Sequence, residues 1–299
     1  MLAAAAVAAV GCLALLTVTL LVVTLLPATS ARATAWPPWA TRNPGSSHSP
    51  AYLLPGVARG SRHPSDPLAG CERKLERAQR GAGRGVPGLA IVGASFTAGV
   101  GPGNPGQSWA VLLARQLHWD AVVYGDPGAG YVRAGAGRKG PVANEIARID
   151  LRTLAPALVI VQAGHDDIGV PSRLERRRVE QAVALIHAEA PGARIALLTV
   201  FTGRAPSPAA YLTDRAIVTA GRAADRNVII MDPLAGSWTF PREHGGLHPS
   251  AAGSAWIARQ VAGILRDQGV LRSPARRGTV ICDAGITAPA ARTAAGSPR

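Results

Sequence analysis

Ser95 is the residue of this chain best placed to act as a nucleophile. It follows Leu89-Ala90-Ile91-Val92, an unbroken apolar run bounded by glycines that reads as a strand buried on both faces, and it precedes a Gly-rich loop and a helix over Gln107 to Leu117. A hydroxyl just past such a strand lies where open α/β folds place their ligands, although a serine there also serves as an ordinary turn residue. A hydroxyl nucleophile needs a base, and His248 in His244-Gly245-Gly246-Leu247-His248-Pro249 offers an imidazole just before the last helix. A developing oxyanion needs donors. Gly128 or Gly130, in Gly125-Asp126-Pro127-Gly128-Ala129-Gly130, can bring a backbone N–H close to a ligand, and Gln162-Ala163-Gly164-His165-Asp166-Asp167 adds a polar cluster at the end of another apolar run. Nucleophile, base and oxyanion donors together are the requirements of acyl transfer. His165 and His244 read as loop residues without a role. The set His165, Asp166, Asp167 and His248 lacks a metal-ligand spacing, so no metal is expected.

The elements that must position these residues alternate. Apolar runs at Ala121 to Tyr124, Ala157 to Val161, Ile195 to Val200 and Val228 to Met231 read as four more strands. Between them, Trp109, Leu112, Leu113 and Leu117 fall on one helical face, and Val179, Ala182, Val183 and Ile186 on another. Ser172 with Glu175 reads as a capping box, Ser207-Pro208 as a helix start, and a final helix follows Pro249 with Ile257, Val261, Ile264 and Leu265 buried. Five strands alternating with helices predict a parallel sheet covered on both faces, with right-handed crossovers. Trp238 and Phe240, just ahead of the histidine block, read either as a substrate groove or as packing.

The blocks GASFTAGVG, GDPGAGY, QAGHDD and GGLHPSAAG, in this order from about Leu89 to Leu265, resemble the SGNH, or GDSL-type, hydrolase family. The resemblance implies a flavodoxin-like three-layer α/β/α fold with a five-stranded parallel sheet, no cofactor, and hydrolysis of esters in small molecules, lipids or glycans. By position, Ser95 matches the family's nucleophile, His248 its general base, Gly128 its oxyanion glycine and Asp166 its oxyanion asparagine. Three positions depart from the family pattern. Ala94 replaces an aspartate that braces the first loop, and Asp166 replaces an amide donor with a carboxyl that donates only when protonated. Gly245 stands where an acid orients the histidine, leaving a backbone carbonyl, Glu243 or Asp232 for that task. The reading from these residues is an exported serine ester or acyl hydrolase using a Ser-His pair. The alternative is a weakened relative that binds acylated glycan or envelope polymer without turnover.

The rest of the chain bounds where this happens. An apolar fraction of 47% supports a sizeable core. The net charge of +14 comes from scattered arginines, Arg176-Arg177-Arg178 being the densest run, with no basic stripe interleaved with aromatics, so nucleic acid is not an expected partner. Residues 1–33 read as a signal peptide or membrane anchor, with Leu2 to Leu26 apolar and Ala31-Arg32-Ala33 as a cleavage site, which places the protein outside the cell or at its surface. Residues 34–70 read as a Pro/Ser/Gly-rich tether, 71–271 as the hydrolase-like domain, and 272–299 as a largely disordered extension. Cys71 and Cys282 flank the domain. In an exported chain they are expected to pair across the sheet edge, with two free thiols as the other reading.

Overall fold

The computed structural model describes residues 67–81, 88–137, 140–203, 205–244, 246–271 and 280–283. The expected leader and most of the expected tether lie outside the described residues. Among those described, no helix is long and apolar enough to cross a membrane.

The order of elements is helix α1 (Pro67–Gly81), strand β1 (Gly88–Gly93), helix α2 (Ser95–Ala98), helix α3 (Trp109–Leu117), strand β2 (Asp120–Gly125), helices α4 (Val142–Ile146) and α5 (Leu151–Leu154), and strand β3 (Leu158–Gln162). Helix α6 (Ser172–Glu189), strand β4 (Arg194–Leu198), helix α7 (Pro208–Ala224), strand β5 (Ile229–Met231), helix α8 (Ala251–Asp267) and strand β6 (Ile281–Asp283) follow. The sheet runs β5-β4-β3-β1-β2-β6 and every pair is parallel. The first five strands have the flavodoxin-like order, and the chain reverses direction across the sheet between β1 and β3. Such a switch point opens a crevice at the carboxyl ends of those two strands.

Continuous apolar runs are explained by burial on both sides. Ala90, Val92, Val122, Tyr124, Val159 and Val161 pack on one face with α1, α4, α5, α6 and α7. Leu89, Ile91, Ala121, Val123, Leu158 and Ile160 pack on the other with α3 and α8. Alternate residues of one strand therefore serve opposite cores, and strands that face solvent on one side would show polar residues at half of these positions. The expected starts of α7 and α8 carry real caps: Ser207 Oγ accepts from the Ala210 N–H at 3.2 Å, and Ser250 Oγ from the Gly253 N–H at 3.2 Å.

Three expectations are corrected. The sheet has six strands rather than five, because residues 281–283 of the expected disordered extension pair with β2, Cys282 opposite Val122. The domain begins earlier than residue 71, since α1 starts at Pro67 and buries Leu68, Glu72 and Leu75 as a helical stripe. The capping box fails: Pro171 is the N-cap, no side chain caps the helix, and Glu175 is turned into the core.

The expected disulfide is present. Cys71 on α1 is bonded to Cys282 on β6, with Cα atoms 5.5 Å apart at a sequence separation of 211. This bond, with the Val280 N–H donating to Asp120 Oδ1 at 3.0 Å, holds a short strand over the otherwise unpaired edge of β2. Reduction, or Cys282→Ser, should therefore lower the unfolding free energy by roughly 2–4 kcal/mol in denaturant titrations. Equal stability with and without reductant would show that the bond does not hold the edge.

Candidate active site

The ladder between β1 and β3 continues one step past Gly93, with the Ala94 N–H donating to the Gln162 carbonyl at 3.1 Å. The chain then turns into the single helical turn α2, whose first residue is Ser95, 7% exposed. Gln162 holds this turn from the neighbouring strand: its Oε1 accepts from the Thr97 N–H at 3.3 Å and from the Thr97 hydroxyl at 3.0 Å. That pair braces the loop where Ala94 leaves no carboxylate to do so.

His248 comes to Ser95 from the far end of the chain on a narrow hairpin. Arg242 and Pro249 form an antiparallel bridge, the Glu243 N–H donates to the His248 carbonyl at 3.0 Å, and the Gly246 N–H donates to the Glu243 carbonyl at 2.9 Å. Arg242 locks the turn, donating from Nη1 to the Leu247 carbonyl at 2.8 Å while its guanidinium lies 4.1 Å over the Phe240 ring. The hairpin sets Glu243 and His248 side by side. His248 Nδ1 is 3.1 Å from Glu243 Oε1, and His248 Nε2 is 2.8 Å from Ser95 Oγ. A carboxylate accepts, so Nδ1 carries the proton and Nε2 is left to accept from the serine. Of the three groups that sequence left open for orienting the imidazole, Glu243 takes the task. Asp232 is elsewhere, accepting from the Ala235 N–H at 2.8 Å and facing the buried Asp214, whose pKa is raised to about 6 by burial and then by the Asp232 charge.

The two candidate glycines separate. The Gly130 N–H donates to the Arg133 carbonyl at 2.9 Å, and a Cβ on Gly130 would run into the Asp167 carboxylate, so this glycine admits an acid rather than a substrate. Gly128 sits at φ +85° in the loop after β2, where glycine carries no steric penalty. Among the described residues neither its N–H nor that of Ser95 donates to a backbone carbonyl. Both loops leave the sheet side by side, since Gly93 pairs with Gly125 and the Asp126 N–H donates to the Gly93 carbonyl at 2.8 Å.

Asp166 follows β3 at the same edge. Burial pushes its carboxyl above the usual aspartate range; Asp167 adds to this, and the charges of His165 and His248 oppose it. Its Oδ2 is sealed from solvent with no hydrogen-bond partner. The raised pKa keeps the neutral acid, the form able to donate, populated to higher pH than in a free aspartate. His165, assigned no role above, is anchored through Nδ1 to the Phe201 carbonyl at 2.7 Å. Phe201 stacks on Phe96 at 4.4 Å between ring centroids, and Phe96 lies 5.2 Å from the His248 ring. Trp238 and Phe240 extend this aromatic floor through edge contacts to Phe201, Phe240 buried and Trp238 half-buried. His244 makes no contact that gives it a role. Among the described residues no group of three or more His, Cys, Asp or Glu is gathered as metal ligands.

The sequence matches the GDSL-like lipase/acylhydrolase family over residues 91–256, more than half of the chain. Comparison with curated proteins finds no match. Among solved structures, the chain is similar to a family two carbohydrate esterase from Clostridium thermocellum in complex with cellohexaose, with a TM-score of 0.51, 16% identity, and coverage of 62% of this chain and 65% of that one. A family two carbohydrate esterase from Cellvibrio japonicus gives a TM-score of 0.51 at 19% identity, covering 63% of each chain. One from Corynascus thermopiles (Myceliophthora fergusii), which carries a carbohydrate binding domain, gives 0.50 at 20% identity, covering 61% of this chain and 67% of that one. The chain thus spans less than two thirds of the length of the first two, and at these identities the likeness is one of fold.

The close approach of two loops gives a direct test of the histidine's placement. Gly101 sits at φ +113°, and a Cβ there would meet the Pro249 carbonyl oxygen and come within 2.8 Å of His248 Cβ. Gly101→Ala should cost roughly 1–3 kcal/mol of stability and shift the His248 imidazole resonances by NMR. Wild-type stability with unmoved resonances would mean that the two loops do not touch.

Proposed function

Since the chain belongs to the GDSL-like lipase/acylhydrolase family, we propose that it is an exported serine hydrolase that cleaves acyl esters, with an esterified glycan the favoured substrate class. Ser95 is the nucleophile, His248 the general base and then acid, and Glu243 the carboxylate that holds the imidazole. The observation that carries this reading is the continuous chain Ser95 Oγ, His248 Nε2, His248 Nδ1, Glu243 Oε1, with separations of 2.8 and 3.1 Å. Export is supported by the apolar run Leu2 to Leu26 and by the disulfide, which needs an oxidising compartment to persist. The glycan preference draws on the carbohydrate esterases of similar fold.

In the reaction the Ser95 proton passes to Nε2 as Oγ attacks the ester carbonyl, and Glu243 stabilises the imidazolium that forms. The N–H groups of Ser95 and Gly128 receive the oxyanion, and a protonated Asp166 adds a third donor. Collapse expels the alcohol, which takes its proton from His248, and a water activated by the same imidazole releases the acyl group. The binding-module alternative rests on the three altered family positions. Gln162 with Thr97 makes good the first, the raised carboxyl of Asp166 the second, and Glu243 the third, which favours turnover over mere binding.

Ser95→Ala and His248→Ala should abolish turnover of p-nitrophenyl acetate and of acetylated cello- or xylo-oligosaccharides, while Glu243→Gln lowers kcat about ten- to a thousandfold. Saturable glycan binding without Ser95-dependent turnover on either substrate would establish the alternative. Asp166 donates only while protonated, so its contribution falls as pH rises through its raised pKa. Asp166→Asn should therefore increase kcat near pH 7 and flatten that limb of the profile; an unchanged or lower rate removes Asp166 from the oxyanion site.

A further inference from the structure

Behind the loop that carries Gly128 lies a buried assembly the reaction does not touch. Asp167, fully buried, receives the backbone N–H groups of Tyr131, Val132 and Arg133, the last at 3.0 Å. Among the described residues the loop is also tied to itself and to Asp126, through the Ala136 N–H on the Pro127 carbonyl at 2.7 Å and the Gly137 N–H on Asp126 Oδ1 at 3.0 Å, and to α4 through the Val142 N–H on the Gly130 carbonyl at 2.9 Å. Asp167 is thus what fixes the loop to the end of β3, where Asp166 sits. On its other side, Asp167 meets the carboxyl of Glu175, from the first turn of α6, which is also fully buried. No N–H or hydroxyl of another residue reaches either oxygen of Glu175. Two ionised carboxylates in one dry contact repel; burial raises the Asp167 carboxyl too, but the three N–H groups and the bond to Glu175 favour its ionised form, which makes it the acceptor of the pair. The contact holds only if Glu175 brings a proton to it.

We infer that Glu175 is a positioning residue for the oxyanion loop: as a protonated acid it donates to Asp167, and the pair clamps residues 131–133 so that the Gly128 N–H is held at the site. This rests on the reading of Gly128 as an oxyanion donor. Sequence patterning gave Glu175 to a capping box, and burial gives it this other task. The titratable groups facing Glu175 are Asp167 and the Tyr131 hydroxyl, which is buried without a partner; on α4, which packs against α6, Glu145 is also buried. Burial, then the Asp167 charge and the hydrogen bond to it, push Glu175 up to about 9. A group whose pKa is raised on folding lends stability that is complete below its unfolded value and is lost as pH rises through the folded one. The window here runs from about 4.5 to about 9, and above it the clamp opens.

The test compares Glu175→Gln, whose amide still donates to Asp167, with Glu175→Ala, which does not. Amide hydrogen exchange at Tyr131, Val132 and Arg133, measured near pH 7, should keep wild-type protection in Glu175→Gln and lose it in Glu175→Ala. With p-nitrophenyl butyrate, corrected for spontaneous hydrolysis, Glu175→Ala should lower kcat about ten- to a hundredfold with little change in KM. Wild-type kcat should fall as pH passes about 9, and that of Glu175→Gln should not. Unchanged protection and kcat in Glu175→Ala would overturn the inference, and so would a Glu175→Gln variant that behaves like the alanine. If Glu175→Ala does not fold, exchange in Glu175→Gln and the alkaline limb still decide. Absence of turnover in the wild type would sink the hydrolase reading and leave the exchange comparison to judge the clamp.

Discussion

One hydrogen bond, between Ser95 Oγ and His248 Nε2, joins groups 153 residues apart, and most of the architecture can be understood as the means of making it. Neither partner sits on a long rigid element. Ser95 opens a single helical turn, and His248 lies on a hairpin between β5 and α8. Each is fixed by what lies beneath it. Gln162 reaches from β3 to hold the turn of α2, and Arg242 closes the hairpin on Phe240. The rings of Phe96, Phe201 and Phe240 run under both, so the aromatic packing that forms part of the core also sets the separation of the reacting groups.

The electrostatics of this sheet edge run opposite to those of the whole molecule. The chain carries a net charge of +14, yet the carboxyl ends of β3, β4 and β5 gather Asp166, Asp167, Glu175, Asp214 and Asp232. Glu175 stays protonated well above neutrality and Asp214 is raised to about 6, in both cases first by burial and then by a neighbouring acid. While protonated, such groups donate hydrogen bonds that a carboxylate cannot. A site that has exchanged an amide for a carboxyl at position 166 is therefore set in surroundings that raise the pKa of its acids.

Much of this was legible in the sequence. Periodicity located all five central strands and the buried stripes of the helices between them, because burial on both faces leaves an apolar run no other explanation. Spacing of the blocks put Ser95 and His248 at one sheet edge, and Cys71 and Cys282 were read as a pair. What escaped notice depended on partners distant in sequence. Strand β6 is three residues long and exists through its pairing with β2 and its disulfide, neither of which leaves an apolar signature. Helix α1 did show a signal, Leu68, Glu72 and Leu75 at helical spacing, hidden by its Gly- and Arg-rich flanks. Glu175 followed the rule for a helix start, and only the acid at the end of β3 explains why it turns inward. Glu243 could be named but not chosen, since its reach depends on a hairpin whose register no local pattern specifies.

The measurement that reaches the central claim most directly is reaction of the folded protein with a fluorophosphonate, followed by peptide mass spectrometry. An imidazole within hydrogen-bond reach of a single buried serine makes that oxygen uniquely reactive toward phosphorus. The account predicts one adduct, on Ser95, formed by the wild type and lost in His248→Ala. An unmodified Ser95, an adduct on another serine, or labelling that persists without the imidazole would contradict it.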